Sequence, residues 1–365
     1  MNAGASNATA PALTAEPPIR LMIVDDSPIA RSVLSRMVSS HADLQLVALA
    51  GNAGEAIETL GKVVVDIVLL DVEMPGTSGL EALPEILKRG NGARVLIVSS
   101  LGEDGADAAV QALTLGATDT LPKPGTGSFG GRFADVLVER LRRIGRVGAR
   151  AAVVAPAPEA APLTLRAMPD ARIGCLALGA STGGLHALSE FLRALPAKVG
   201  APILVTQHLP AVFMPFFARQ IEAASGRSAQ VATDGVPLVD EDILIAPGDA
   251  HLQVEQVASG PRVRLGTGPV SSGCMPSVDP MLWSVSEAYG RNGLGVIFSG
   301  MGRDGLVGSA RLVEAGGAVI AQDQQSSAVW GMPRAVAEAG LASAVLPPKE
   351  LAGRVSRRIE TTRWK

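Results

Sequence analysis

Aromatic residues and cysteines are scarce in this chain, and so are long apolar runs. Only 3% of the 365 residues are aromatic although 47% are hydrophobic, so the cores must consist mainly of Ala, Val, Leu and Ile. The two cysteines, Cys175 and Cys274, lack the spacing of a metal site, which favours a reducing compartment. No apolar run reaches the ~18 residues that a membrane span requires. We therefore expect a cytoplasmic protein that does not insert into membranes.

The chain also lacks a strong charge of either sign. The net charge is −3, which leaves no overall basic field for binding nucleic acid. Residues 1–18 have neither the basic start nor the apolar segment of a secretory signal, and we expect them to form a flexible tail. A chain of this length is typical of two domains, at roughly 100–200 residues each.

Two stretches of the chain alternate short apolar segments with amphipathic ones, a pattern that predicts parallel α/β sheets. The first stretch, residues 19–146, includes helix-like segments such as Pro28–Ser40 and Gly79–Arg89. An Ala- and Pro-rich linker is predicted over residues 147–171, and the second stretch covers residues 172–365. The predicted strands are Leu21–Val24, Leu44–Ala50, Asp66–Leu70, Arg94–Ser99, Asp119–Leu121, Ile173–Leu178, Pro202–Thr206, Asp242–Ile245, Gly295–Phe298 and Ala318–Ala321.

Acidic side chains follow two predicted strands of the first stretch. Asp25 and Asp26 follow the first strand, and Asp71 follows the third. Ligands of open parallel sheets bind outside the carboxyl ends of the strands, so we expect these carboxylates to meet in one crevice. Like charges held close together need a cation, and Mg²⁺ prefers oxygen ligands. We therefore predict that the three aspartates hold Mg²⁺.

A hydroxyl and an amine stand at two further strand ends. Ser99 ends the fourth strand and Lys123 follows the fifth. This set suits phosphoryl transfer to a carboxylate, because a cation and a lysine neutralise the phosphoryl oxygens while a hydroxyl bonds one of them. Taken singly, an acidic residue at a strand end is more often a helix cap or a solvated turn residue. The whole set favours a phosphorylation site with Asp71 as the acceptor.

Four motifs in residues 19–146 are typical of two-component receiver domains. They are VDDS at 24–27, LLDVEMPGTSG at 69–79, VSS at 98–100 and LPKP at 121–124. This stretch therefore resembles a receiver domain, which implies a flavodoxin-like, five-stranded parallel sheet. The resemblance also implies phosphorylation of Asp71 by a partner histidine kinase, with Ser99 and Lys123 as switch residues. The loop carries Thr77 and Ser78 where many relatives have Met-Asp.

A glycine-rich turn follows the first predicted strand of the second stretch. Gly179-x-Ser181-x-Gly183 fits a nucleophile elbow, where small neighbours permit a sharp strand-to-helix turn. The helix start behind it would offer free N–H groups to an oxyanion. The same glycines could instead cradle a dinucleotide pyrophosphate or form a plain tight turn. The turn alone leaves all three interpretations open.

A serine nucleophile needs a base, and the chain has 4 histidines. His208 directly follows a predicted strand, as Ser181 does, so it is favoured over His251, which lies in a loop. We expect His186 to be carried away from the serine on a helix. Asp304, beyond another predicted strand, is the best carboxylate to orient His208 and fix its tautomer.

Six motifs of the second stretch are shared with one family of esterases. They are GASTGG at 179–184, QHLP at 207–210, IAPGDAH at 245–251, PSVD at 276–279, SGMGRDG at 299–305 and WGMPRAV at 330–336. Residues 172–350 thus resemble the catalytic domain of the CheB family, the chemotaxis protein-glutamate methylesterases. The family implies a doubly wound, mostly parallel α/β esterase domain that needs no cofactor of its own.

The resemblance also implies residue roles and partners. Ser181 would be the nucleophile, His208 the base and Asp304 the orienter, while Thr182 and Met301 would support the oxyanion. The substrates would be glutamate γ-methyl esters and certain glutamines on methyl-accepting chemotaxis receptors. In this tandem arrangement the receiver is expected to cover the serine's cleft until it is phosphorylated.

One departure and two alternatives remain. Met275 stands where relatives usually carry an arginine, and the preceding Ser271–Cys274 segment is also unlike theirs, which could alter receptor recognition. A receiver-gated binding module without catalysis is one alternative, although it need not keep a complete triad. A nucleotide-dependent Rossmann enzyme is the other, but the strand after the glycine-rich turn ends in Gln207 and His208 instead of an acid.

Overall fold

The computed structural model describes residues 17–100, 102–123, 131–152 and 163–363. Most of the predicted tail and residues 153–162 of the predicted linker lie outside those ranges, as does Pro124 of the LPKP motif. Within them, no helix is both long and apolar enough to cross a membrane.

The front of the chain forms a parallel sheet covered by helices on both faces. Its strands are β1 (Ile19–Val24), β2 (Leu44–Ala50), β3 (Ile67–Leu70), β4 (Arg94–Ser99) and β5 (Asp119–Pro122). Its helices are α1 (Pro28–Ser39), α2 (Ala53–Leu60), α3 (Gly79–Arg89), α4 (Glu103–Leu115) and α5 (Gly131–Ala152). The strand order is β2-β1-β3-β4-β5, and every neighbouring pair is parallel. The candidate functional residues follow or end β1, β3, β4 and β5, so they lie at one edge of this sheet.

Local sequence explains where the front helices begin. Ser27 caps α1 by accepting the Ala30 N–H at 3.3 Å. Ser78 and Glu81 form a reciprocal capping box at the start of α3, so the serine that departs from the common Met-Asp pattern still caps the helix. Gly79 follows directly, and a Cβ there would lie 2.0 Å from the carbonyl oxygen of Asp71. Only glycine therefore lets α3 start this close to the acidic crevice.

The back of the chain forms a seven-stranded sheet and a separate hairpin. The strands of this sheet are β6 (Cys175–Ala180), β7 (Ile203–Gln207), β8 (Ala229–Val231), β9 (Ile243–Ile245), β12 (Gly293–Ile297), β13 (Ala318–Gln322) and β14 (Ala342–Leu346). The hairpin joins β10 (His251–Val257) to β11 (Gly260–Gly266). The sheet order is β14-β13-β12-β6-β7-β9-β8, with parallel pairing throughout. The strands β12, β6 and β7 thus lie side by side at its centre.

Helices cover both faces of this second sheet. They are α6 (Gly184–Ala194), α7 (Met214–Ser225), α8 (Val278–Tyr289), α9 (Leu306–Glu314), α10 (Met332–Glu338) and α11 (Pro348–Arg363), with short 3-10 turns at Ala211–Phe213 and Gly290–Asn292. The predicted fold class is confirmed for both halves. The sequence interpretation missed β8, β14 and the hairpin, because they are short or carry polar side chains on a solvent face. The helix α5 also continues to Ala152, into the predicted linker.

The two halves contact each other through α4 of the front and α6 and α7 of the back. The Gly183 N–H donates to the Thr118 carbonyl at 2.7 Å, and His186 Nδ1 lies 2.8 Å from the Thr114 carbonyl oxygen. Asp107 and Arg219 form an exposed ion pair at 3.5 Å. One of these contacts involves the glycine two residues after Ser181, so the front half lies directly beside the glycine-rich turn.

Candidate active site

Ser181 lies on a tight turn between β6 and α6, as the elbow pattern predicts. Its N–H donates to the Ser299 carbonyl at 3.0 Å, and Gln207 Nε2 donates to its carbonyl at 3.1 Å. Gly183 has φ +69°, and a Cβ there would lie 2.2 Å from the Cβ of Ala328. Both the left-handed backbone and the close contact require glycine. The serine hydroxyl is thereby held at the carboxyl end of a central strand.

Ser299 supports this turn and was not singled out by sequence reasoning. Its Oγ donates to the Thr182 carbonyl at 2.8 Å and accepts the Val329 N–H at 2.9 Å. Its own N–H donates to Gln322 Oε1 at 2.7 Å. Ser299 opens the SGMGRDG motif, but nothing in the motif says that its hydroxyl would bridge the serine turn to the loop before α10.

His208 lies between Ser181 and Asp304. Its Nδ1 is 3.0 Å from Ser181 Oγ, and its Nε2 is 2.8 Å from Asp304 Oδ2. Because the ionised carboxylate can only accept, Nε2 must carry the proton, and the Nδ1 lone pair then faces the serine hydroxyl. The structure therefore brings the three predicted residues together in the order that general-base activation of a serine requires.

Asp304 is 1% exposed and accepts two further hydrogen bonds. The Ser277 hydroxyl donates to its Oδ1 at 2.6 Å, and the Val278 N–H donates to its Oδ2 at 2.7 Å. Burial works to raise the pKa of Asp304, but the bonds from His208, Ser277 and Val278 lower it to about 2. The carboxylate thus stays ionised, and its ring partner is fixed in one tautomer.

The charge of Asp304 acts on its neighbours. Burial works to lower the pKa of His208, but hydrogen bonds and charges from Asp304 and Cys274 raise it to about 9. Asp279, 6% exposed, accepts the Gly308 N–H at 2.8 Å, and burial together with the nearby Asp304 raises its pKa to about 6. Sequence reasoning did not include Cys274 or Asp279 in the site.

His251, the second choice for the base, is engaged elsewhere. Its Nδ1 accepts the Ser277 N–H at 3.0 Å, and its Nε2 donates to the Gly268 carbonyl at 2.9 Å. Both ring nitrogens are therefore occupied, and the ring holds the segment that carries Ser277. His186 lies in α6 and contacts Thr114 of the front half, as expected for a histidine carried away on the helix.

The backbone beside Ser181 has unused donors. A Cβ on Gly300 would lie 2.8 Å from the Cβ of Ser181, so the glycine allows the loop that carries Met301 to approach the serine. In the part of the chain that the structure describes, the N–H groups of Thr182 and Met301 have no acceptor. Such free donors next to a nucleophile are what a developing oxyanion needs.

In the front half, the structure also brings the predicted crevice residues close together. Lys123 Nζ lies 2.6 Å from Asp71 Oδ2 and 2.9 Å from Asp25 Oδ2. Carboxylate oxygens of Asp25, Asp26 and Asp71 lie within 4.8 Å of one another, and Asp26 is exposed. Three oxygens this close, one of them open to solvent, fit a hydrated Mg²⁺.

Two further features of this crevice match phosphoryl transfer. Burial raises the pKa of Asp71, although the bond from Lys123 opposes this, and the two aspartates outweigh burial to raise the pKa of Lys123. Ser99 is fully buried, and its Oγ has no partner among the described residues. A buried hydroxyl without a partner is costly, so this group suits a ligand that is bound only part of the time.

Family models match both halves of the chain. The CheB methylesterase family model matches residues 176–355, and the response regulator receiver domain model matches residues 21–128. A protein-glutamate methylesterase/protein-glutamine glutaminase of Azospirillum brasilense is 40% identical over 358 residues, which cover 92% of this chain and 91% of that protein. A protein-glutamate methylesterase/protein-glutamine glutaminase 2 of Caulobacter vibrioides is 42% identical over 336 residues, covering 90% and 95%.

One solved structure aligns with the back half alone. The crystal structure of the Thermotoga maritima CheB methylesterase catalytic domain is 33% identical with a TM-score of 0.49, and it covers 50% of this chain and 97% of that chain.

Proposed function

Since this chain belongs to the CheB methylesterase family, we propose that it is a protein-glutamate methylesterase and protein-glutamine glutaminase that phosphorylation switches on. Its substrates are γ-methyl esters and certain glutamines on the cytoplasmic part of chemotaxis receptors, and the reaction serves adaptation. The observation that carries this proposal is the position of His208, 3.0 Å from Ser181 Oγ and 2.8 Å from Asp304 Oδ2. A binding module would have no need of this buried, bonded set.

The acylation half-reaction uses the two faces of His208. Ser181 Oγ attacks the ester carbonyl carbon while Nδ1 takes the hydroxyl proton, which gives a tetrahedral oxyanion and an imidazolium. The charge of Asp304 stabilises that imidazolium, in keeping with the raised pKa of His208. The imidazolium then protonates the leaving oxygen, and methanol departs. With a glutamine side chain, ammonia departs by the same route.

Deacylation repeats the proton transfers with water. His208 Nδ1 takes a proton from a water that attacks the glutamyl ester of Ser181, and the imidazolium returns the proton to Ser181 Oγ as glutamate leaves. The oxyanion of both steps is assigned to the free N–H groups of Thr182 and Met301. Preorganised donors of this kind are typically worth about 3–4 kcal/mol each in the transition state.

The front half is assigned to phosphorylation at Asp71 by a histidine kinase. Asp25, Asp26 and Asp71 would hold Mg²⁺, which supplies positive charge against the phosphoryl oxygens. Lys123 bonds Asp71 now and can move to a phosphoryl oxygen. The unpartnered Ser99 hydroxyl can donate to another, which would shift the end of β4 next to α4.

The coupling between the halves is assigned to the α4 face. Thr118, in the turn after α4, accepts the N–H of Gly183 in the serine turn at 2.7 Å. In the state without phosphate, this contact holds the front half beside the cleft. Ser181 is only 9% exposed, in keeping with a cleft that receptor helices cannot fully enter. Phosphorylation would loosen the contact and uncover the serine.

The test is methanol release from methyl-labelled receptor membranes, with and without a small phosphodonor and Mg²⁺. We expect release that the phosphodonor accelerates in the wild type. Ser181→Ala should abolish release. In Asp71→Asn the rate with phosphodonor should about equal the rate without it. Ser189→Ala is the matched control, because that hydroxyl lies in the same half of the chain and is buried without a partner among the described residues.

Three results would contradict the proposal. Release by Ser181→Ala would exclude the assigned nucleophile, and acceleration in Asp71→Asn would exclude the assigned acceptor. A silent wild type under both conditions would favour a receptor-binding module, since the binding of receptor membranes could then persist without turnover.

A further inference from the structure

Cys274 brings a thiol to the triad. Its Sγ, a ring nitrogen of His208 and a carboxylate oxygen of Asp304 all lie within 4.8 Å of one another. Cys274 is half-buried, whereas Cys175, the other cysteine, is fully buried in β6. The thiol's hydrogen-bond partner in its own loop is the Ser272 carbonyl, at 3.8 Å, so the sulfur is free to turn towards the ring.

These three side chains form a mixed set of potential metal ligands. Thiolate, imidazole and carboxylate together suit Zn²⁺, while Mg²⁺ and Ca²⁺ prefer oxygen alone. The crevice of Asp25, Asp26 and Asp71 is of the oxygen-only kind. The two ligand clusters found among the described residues therefore differ in the ions that they would select.

The distances allow an ion to be bound with little movement. A Zn²⁺ ion binds sulfur at ~2.3 Å and nitrogen at ~2.0 Å, so two such ligands lie at most ~4.3 Å apart. The ligand atoms now lie within 4.8 Å of one another, so they need to approach each other by about half an ångström or less. The loop that carries Cys274 is exposed on both sides of it, at Gly273 and Met275, and can supply that movement. Three protein ligands would leave one position for water.

We propose that Cys274, His208 and Asp304 form an inhibitory binding site for a thiophilic divalent cation, Zn²⁺ above all. The ion takes the place of the Nε2 proton between His208 and Asp304, and that proton moves to Nδ1, which can then no longer accept the Ser181 proton. Binding releases the thiol proton of Cys274 to solvent, and no redox step is involved. The inhibition rests on the proposed function, but the site itself does not.

The experiment uses Co²⁺ as a coloured substitute for Zn²⁺ on the full chain, with Mg²⁺ in excess to occupy the front crevice. Wild type should show a thiolate-to-cobalt charge-transfer band that saturates at one equivalent and disappears when Zn²⁺ is added. Cys274→Ser should lack the band. Its affinity for Zn²⁺ should fall at least about tenfold, because even partners of metal ligands are typically worth 10–100-fold.

The second measurement is the rate of methanol release. The rate of each variant with Zn²⁺ is compared with its own rate without Zn²⁺. Zn²⁺ should inhibit wild type and Asp26→Asn alike, because the latter changes only the front crevice. Cys274→Ser should need at least about tenfold more Zn²⁺ for the same inhibition. No cobalt band in wild type, or equal Zn²⁺ sensitivity in Cys274→Ser, overturns the inference. A protein that shows the band without releasing methanol contradicts the proposed function but keeps the site.

Discussion

Each half of the molecule holds a buried aspartate against a side chain that can carry positive charge. Asp71 lies 2.6 Å from Lys123 Nζ in the front half, and Asp304 lies 2.8 Å from His208 Nε2 in the back half. Both aspartates follow the carboxyl end of a central parallel strand. The resemblance ends at the hydrogen bonds, because burial raises the pKa of Asp71 while the bonds around Asp304 lower its pKa to about 2.

This difference fits the two proposed roles, phosphoryl acceptor for Asp71 and orienter for Asp304. Asp304 accepts from a ring nitrogen, a hydroxyl and a backbone N–H, so both of its oxygens are bonded and its position is fixed. Apart from Lys123, Asp71 accepts the Glu73 N–H at a longer 3.2 Å. A carboxylate that must attack a phosphoryl group needs an oxygen that a movable lysine can release. The hydrogen bonds around the two aspartates thus fit different proposed roles.

The largest effect that would test this contrast is expected from Asp304→Asn. The amide can present an NH₂ group where Nε2 needs an acceptor, so the ring loses its tautomer and its charge partner. We expect kcat for methanol release to fall about 10⁴-fold while the protein stays folded. A loss of less than about tenfold would mean that Asp304 does not orient the base, and the two aspartates would no longer differ in the way described.

Ser277→Ala should have the next largest effect. It removes the hydroxyl that donates to Asp304 Oδ1 at 2.6 Å and leaves that buried oxygen without its bond. A lost bond to a buried charge costs about 1–3 kcal/mol, so kcat should fall about tenfold or more and the thermal midpoint should drop. Ser286→Ala is the matched control, since its hydroxyl donates to the Trp283 carbonyl within the same helix. Equal rates for the two variants would contradict the support role.

The pH dependence of the esterase should reflect the raised pKa of His208. Only the neutral ring accepts the Ser181 proton, so kcat/KM should increase as pH rises towards about 9 and level off above it. Burial opposes this shift, and Asp304 and then Cys274 cause it, so Cys274→Ser should move the rising limb to lower pH. Initial rates from about pH 6 to about pH 10, corrected for spontaneous ester hydrolysis, would measure it. A limb that stays near the ordinary histidine pKa would contradict this electrostatic picture.

Much of both sites could be predicted from the sequence because their residues stand at strand ends. Apolar runs mark the strands, and the residue after a run must lie at the sheet's carboxyl edge, so Ser181 and His208 could be found from the pattern. Asp304 could be found as the carboxylate in the glycine-rich loop that follows β12. The partners Ser277 and Ser299 could not. Their roles depend on side-chain hydrogen bonds between segments far apart in the chain, 27 residues for Ser277 and 117 for Ser299.

Cys274 is another residue whose place in the site could not be predicted from the sequence. Its segment was recognised as unusual, but its distance from His208 depends on how the loop before α8 folds over the cleft.

The short strand β8 was missed for a simpler reason, because a three-residue strand carries too few positions to establish a period. Sequence patterns thus predicted the sheets and the residues at their ends, while loop packing determined the residues around them.

The smallest effect on stability, and the sharpest contrast with Ser277, is expected from Ser99→Ala. Both serines are fully buried beside an acidic group, but Ser99 Oγ has no partner among the described residues. Removing a buried, unbonded hydroxyl should change the free energy of unfolding by less than about 0.5 kcal/mol or raise it. The acceleration by a phosphodonor should nevertheless weaken, because the phosphoryl group loses its donor. A clear loss of thermal stability without a change in acceleration would mean that Ser99 is structural, and that the front crevice is as fully bonded as the back one.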